Sequence, residues 1–196
     1  MNPSLFATPA DFRTWLTQHH ATATELWLGI AKKGSGIPSI TYAEALDEAL
    51  CFGWIDGLKK SHDALQFKLR FTPRKPKGLW SKINVAHVER LIGEGRMMPA
   101  GLAQVDAAKR DGRWDAAYHG GATSTVPADL QAVLDAEPKI AAFFADLDRA
   151  NRYAMLFRLQ TAMKPETRAK RLAVIVQMLR EGRGYHATRT DKQSPE

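Results

Sequence analysis

Residues Leu65-Gln66-Phe67-Lys68-Leu69-Arg70-Phe71 alternate apolar and polar without a break. In an extended chain successive side chains point to opposite faces. Leu65, Phe67, Leu69 and Phe71 therefore share one face, and Gln66, Lys68 and Arg70 the other. Such a segment is a strand of a sheet buried on one side only, and it needs neighbouring strands to satisfy its backbone. Two segments offer themselves. Glu25–Lys33 is apolar and partly β-prone, and Gly34-Ser35-Gly36 stops it. Trp54, Ile55 and Leu58 mark a short strand after Gly53, with Gly57 as a turn residue. Thr72-Pro73-Arg74-Lys75-Pro76-Lys77-Gly78 holds two prolines and a glycine and is predicted as a loop.

The remaining segments read as helices. Thr8 is placed as an N-cap, Pro9 fits the first helical position and Asp11 the first turn, with Phe12, Trp15 and Leu16 on one face. Thr41 and Glu44 form a capping-box pattern ahead of a stripe, expected to be buried, that includes Tyr42, Ala45, Leu46, Ala49 and Leu50. A helix over Ser81–Glu94 is stopped by Gly95, and Pro99 opens another to about Arg110. Gly120–Thr125 is small and uncharged, the composition of a linker. Four more helices follow, over Pro127–Ala136, Pro138–Leu147, Ala150–Met163 and Pro165–Glu181. The expected fold is α+β: a small antiparallel sheet with helices in the N-terminal half and an all-helical C-terminal subdomain. The expected domains are 1–119 and 120–182, followed by a mobile polar tail over 183–196.

Composition narrows the function. The single cysteine, Cys51, excludes an internal disulfide, and no basic stretch followed by an apolar run marks a signal peptide. No segment approaches the roughly 18 apolar residues of a spanning helix. A cytoplasmic protein without a transmembrane segment is the expectation. The histidines are scattered, with no HExxH and no CxxC, so no metal site is read. GxSxG, a Walker loop and GxGxxG after a strand are also missing, and no cofactor is expected. Cys51 ends an apolar helix without a neighbouring His or basic pair, the setting of an inert core thiol.

The net charge of the chain is +7. Residues 59–96 carry ten basic side chains against Asp63, Glu89 and Glu94, which accounts for the whole excess. A local surplus of this kind attracts phosphate, carboxylate or a nucleic-acid backbone, or is simply a solvated face. The expected partner is an anionic small molecule or an acidic partner. Charge alone also admits nucleic acid, but no motif supports it.

Three clusters stand out: Cys51-Phe52-Gly53-Trp54-Ile55-Asp56-Gly57, Arg70–Pro76 continuing through Trp80-Ser81-Lys82-Ile83-Asn84, and Lys164–Arg171. With Tyr42-Ala43-Glu44-Ala45-Leu46 ahead of the first, and Val126-Pro127 and Leu130 ahead of the third, the chain resembles the bacterial YdeI/OmpD-associated family over roughly residues 5–182. The resemblance implies a helical C-terminal domain and a link to bacteriocin or antimicrobial-peptide protection and to stress response.

The first two clusters supply the candidate site. Arg70 projects from the polar strand face, and Arg74 sits between two prolines that stiffen its loop. Trp54 and Trp80 offer flat faces for a ligand or for an arginine. Ser81 and Asn84 lie one turn apart at a helix start, where free N–H groups favour anions. Trp54, Asp56, Arg70, Arg74, Trp80, Ser81 and Asn84 would then line one pocket for a small anionic or aromatic-anionic ligand. The same residues also allow a structural account, with Asp56 bracing Arg70 or Arg74, Ser81 as an N-cap and the tryptophans in the core. Lys164, Arg168, Lys170 and Arg171 gather at another helix start, either for a partner or for solubility and pairing with Glu166. Two functions are consistent with this pattern. The first is a binding or protection protein working through its basic face. The alternative is a cofactor-free enzyme on a small anionic substrate, with Asp56 as acid/base and Arg74 as oxyanion clamp.

Overall fold

The computed structural model describes residues 2–186. Among these residues the chain forms α1 (Pro9–His19), β1 (Leu26–Ala31), α2 (Tyr42–Cys51), β2 (Trp54–Ser61), β3 (Gln66–Pro73), α3 (Lys82–Gly93), α4 (Pro99–Arg110), α5 (Ala128–Ala136), α6 (Pro138–Asp146), α7 (Arg149–Gln160) and α8 (Pro165–Arg180). The class is α+β, with all three strands in the first half. The chain divides into two compact units. One holds the residues up to Trp80 together with Asn84–Asp115. The other holds Ser81–Ile83 and the described residues from Ala116 onward.

In the first unit the sheet is antiparallel in the order β1-β3-β2, with the alternating segment at its centre. Leu26 pairs with Phe71, Leu28 with Leu69 and Ile30 with Phe67, so one face is apolar on both strands. This inner face meets the helices: Phe12 of α1 packs edge-on to Phe71 at 5.9 Å between ring centroids, and Trp15 packs likewise on Trp54 at 5.7 Å. Burying these rings is the main stabilising term of the unit. Helix α1 begins at Thr8 and α2 at Thr41, each with a complete capping box closed by Asp11 and Glu44.

Three features depart from the sequence reading. Strand β3 continues through Thr72 and Pro73 instead of breaking before them. The proline is tolerated because β1 ends its pairing at Phe71, so beyond that point β3 borders β2 alone. Strand β2 is longer than the expected Trp54–Leu58 stretch and contains a bulge. Between the pairs Asp56–Phe71 and Lys59–Leu69, β2 uses three steps where β3 uses two. The extra residue brings Asp56 and Lys59 to the same inner face, where regular alternation would have separated them. Finally, α4 lies against the end of α2 so closely that a Cβ on Gly101 would sit 2.2 Å from the Cys51 carbonyl oxygen. Only glycine fits there.

The second unit has its own core, in which Leu130, Ile140, Met155, Leu159 and Ile175 are buried together. Helix α8 ends in a Schellman motif: Gly182 has φ +65°, its N–H bonds the Leu179 carbonyl, and the Arg183 N–H bonds that of Met178. The tail expected to be mobile from residue 183 is held over its first residues. Fully buried Asn151 accepts from the His186 N–H at 2.8 Å and donates to the His186 carbonyl at 3.2 Å. The rest of that tail, from residue 187, lies outside the described residues.

Candidate functional site

The seven residues singled out from sequence take separate positions. Trp54 is core: it is 1 % exposed and its indole N–H donates to the His20 carbonyl at 3.1 Å. Burial on all sides leaves it no face for a ligand. Asp56 accepts a hydrogen bond from the Tyr42 hydroxyl at 2.9 Å. Arg70 projects from the outer face of β3, opposite the inner face to which Asp56 belongs, and meets Glu25 at 2.6 Å. Period-two geometry keeps those two apart whatever their rotamers.

Arg74 and Trp80 do come together, as a structural pair. Arg74 is buried, with its guanidinium carbon 3.6 Å from the Trp80 ring centroid and Nη1 donating to the Leu79 carbonyl at 3.2 Å. Trp80 also packs on Trp114 at 4.9 Å between ring centroids, and Arg113 donates to the Gly78 carbonyl at 2.9 Å. Two guanidiniums thus hold the carbonyls of Gly78 and Leu79, fixing the turn that leads out of β3. Ser81 is buried in the second unit, where its segment bridges Tyr118, while half-buried Asn84 lies in the first. The Lys82 N–H bonds the Tyr118 carbonyl at 2.8 Å, so a backbone donor that an anion at this helix start would need is already engaged.

What surrounds Asp56 instead is a hollow of about 290 Å³ on the inner sheet face, lined by Tyr42, Asp56, Gly57, Lys59, Phe67 and Leu69. Lys59 places its ammonium 3.9 Å from the Phe67 ring centroid. Burial, then the charge of Asp56 and its hydrogen bond, push the Tyr42 phenol well above its ordinary value, so it stays a neutral donor. Neither Tyr42 nor Lys59 was marked as a site residue by sequence; the bulge that brings Lys59 inward leaves no pattern beyond Gly57.

The outer sheet face carries a second grouping. Trp27 is half-buried, and the ammonium groups of Lys60 and Lys68 stand 5.5 and 5.4 Å from its ring centroid. Lys60 and Lys68 are direct cross-strand partners. Like charges in that position destabilise a sheet by about 0.2–1 kcal/mol. The alternation in β3 shows that Lys68 faces outward, but Trp27 joins it only through the β1–β3 register.

Much of the basic surplus is neutralised by acids outside its own segment. Glu48 of α2, 4 % exposed, takes Arg13 on one carboxylate oxygen at 2.8 Å and Arg96 on the other at 2.7 Å. Arg96 reaches Glu94, Glu94 meets Arg90, and Arg90 and His87 share Asp47. Partial burial works against the Asp47 carboxylate, but bonds from His87 and Arg90 prevail and hold it below the usual range. Cys51 is buried, and burial pushes its thiol up against the pull of an Arg13 hydrogen bond, which describes an unreactive sulfur. In the third basic cluster, Arg168 makes a two-pronged pair with Asp129 at 2.7 and 2.8 Å, and Arg171 donates to the Arg158 carbonyl at 2.6 Å. Those two guanidiniums tie the second unit together.

Among the described residues there is no group of three or more His, Cys, Asp or Glu that could hold a metal ion, and no helix is long and apolar enough to cross a membrane. Neither a curated protein nor a solved structure matches the chain. Two family models do. Residues 4–104 match the one described as a domain of unknown function, DUF8412, and residues 123–182 match the one described as bacteriocin-protection, YdeI or OmpD-associated. The likeness read over residues 5–182 therefore resolves into two parts, and the Cys51–Gly57 and Phe71–Arg74 motifs fall in the first. The chain belongs to the DUF8412 family, and its C-terminal domain is of the bacteriocin-protection, YdeI or OmpD-associated family.

Proposed function

We propose that this is a cytoplasmic, stress-related protection protein that works by binding, and that it holds an anionic ligand on the outer face of its sheet around Trp27, Lys60 and Lys68. The family of the C-terminal domain supports a role of the bacteriocin-protection kind. The observation that carries the binding mode is the placement of two lysines directly opposite one another across β2 and β3, both against one indole. Like charges directly opposite one another work against the pairing of the two strands. An anion between the ammonium groups relieves their repulsion, and the indole offers a surface for a planar group beside the charge.

The test is titration with a 5′-mononucleotide and with inorganic phosphate at two ionic strengths, beside survival of cells challenged with a bacteriocin panel. Binding should weaken as salt rises, because these charges are near the surface. The double substitution Lys60→Glu/Lys68→Glu should abolish both binding and protection while the sheet stays folded. Affinity that ignores salt, or protection that survives the double substitution, overturns the reading.

A further inference from the structure

We propose that the second unit carries a binding site for a small amphiphilic anion, an oxyanion head joined to an apolar chain, in a hollow of about 700 Å³ between residues 121–126 and helices α6 and α7. This goes beyond the sheet-face reading and does not depend on it.

The hollow has two chemically different parts. Val126, Phe144 and Leu156 give it an apolar lining. Phe144 and Leu156 are also members of the buried core, so this lining is a continuation of well-packed structure. Arg149 and Arg152 supply the charge, and their spacing of three residues puts them on neighbouring positions of one helix face. Neither forms an ion pair among the described residues, unlike Arg168, Arg180 and Arg183 of the same unit. Arg152 is positioned by one bond, from Nη1 to the Ala145 carbonyl at 2.9 Å, which leaves its other N–H groups to donate. The nearby Asp148 carboxylate caps α7 by accepting from the Asn151 N–H at 2.7 Å and makes no ion pair with either arginine.

The rest of the lining adds neutral donors. The Ser124 hydroxyl oxygen accepts from Gln160 at 2.7 Å, leaving its own O–H to donate. A Cβ on Gly121 would sit 3.3 Å from the Tyr153 ring, so glycine there lets the segment close on the aromatic wall. Two guanidiniums, a hydroxyl and no lining carboxylate select an oxyanion. The apolar lining selects a hydrocarbon attached to it, and the volume falls in the range of small-molecule sites, about 300–1,000 Å³. A carboxylate and a phosphate monoester present the same head to two arginines, so the experiment separates them.

The full chain is titrated calorimetrically with decanoate and with decyl phosphate, both kept below their micelle concentrations. Inorganic phosphate serves as head alone and decanol as tail alone. At least one amphiphile should saturate a single site at least tenfold more tightly than either half molecule. Arg149→Ala should weaken that binding by about tenfold or more, as expected for a lost charge-assisted hydrogen bond. Ala145→Trp, at an exposed position lining the hollow, fills the space without altering charge and should abolish binding. Lys60→Glu/Lys68→Glu should leave it unchanged, which keeps this site separate from the sheet face. Which amphiphile binds identifies the head group. Absence of saturable binding, binding by phosphate or decanol as tight as by the amphiphiles, or binding that survives Ala145→Trp overturns the proposal.

Discussion

Removing the Glu48 carboxylate tests whether the first unit is held by charge as well as by apolar burial. The carboxylate accepts from Arg13 and Arg96, one on each oxygen, at 2.8 and 2.7 Å, and is 6 % exposed at the side chain. A charge-assisted hydrogen bond contributes about 1.5–3 kcal/mol, so two set an upper bound near 3–6 kcal/mol. Arg13 and Arg96 are 33 and 35 % exposed, so water recovers part of that when the carboxylate is gone. Both also keep other partners: Arg13 the Arg96 carbonyl, and Arg96 the Glu94 carboxylate. Glu48→Ala should therefore destabilise the unit by about 3 kcal/mol. With a urea m-value of about 1–3 kcal/mol/M, that moves the midpoint by roughly 1–3 M. The readout is unusually selective. All five tryptophans, at 15, 27, 54, 80 and 114, belong to the first unit, so indole fluorescence follows that unit alone. Glu94→Gln, at an exposed link of the network, is the control and should lower the midpoint much less. A Glu48→Ala midpoint no lower than that of Glu94→Gln would refute the reasoning.

Two further outcomes follow from contacts elsewhere. Gly101→Ala drives a side-chain methyl to 2.2 Å from the Cys51 backbone carbonyl oxygen, which cannot rotate away, and should destabilise the first unit by about 3 kcal/mol or more, read by the same fluorescence transition. In the second unit the hydrogen bonds from Arg168 hold the Asp129 carboxyl below its ordinary range. A depressed folded-state value gives stability that is present above the unfolded-state pKa, near 3.9, and is lost as pH falls through the folded one. Helical circular dichroism at 222 nm, followed during acid titration, should show the second unit weakening below about pH 4, and Asp129→Asn should flatten that dependence.

The sequence made the elements legible and left their meetings hidden, for physical reasons that particular residues expose. The Leu65–Phe71 alternation located β3 because half-burial imprints a period of two on any strand. Thr8 and Thr41 marked helix starts because a cap is a local bond between residues three apart. Of the residues around Asp56, Tyr42 reads in the sequence as part of the buried α2 stripe but is 42 % exposed, and Lys59 reads only as one of the basic residues of its segment. Tyr42 arrives from α2 and Lys59 through a bulge, and neither event writes a period into the chain. Arg70 was correctly placed on the polar face of its strand, while its partner Glu25 lies 45 residues earlier. Asp56 and Arg70, drawn toward one pocket by their chemistry, lie on opposite faces of the sheet, because charge and aromaticity say what a residue can do and only the register says which face it does it on.

The basic surplus of residues 59–96 is the sharpest case, because it divides by side-chain chemistry. Its four arginines are all engaged inside the fold: Arg70 with Glu25, Arg74 on Trp80, Arg90 with Asp47, and Arg96 with Glu48. A planar guanidinium suits that work, since it holds two partners in a fixed geometry with little loss of freedom. The ammonium groups of Lys59, Lys60 and Lys68 stand over aromatic rings. Removing one of these four arginines therefore tests folding before it tests function. In the second unit Arg149 and Arg152 differ, for beside an apolar hollow they have no ion-paired carboxylate among the described residues. Charge reversal at Lys60 and Lys68, and truncation at Arg149, thus act on two independent surfaces. A single ligand that lost affinity equally in both sets of variants would contradict that independence.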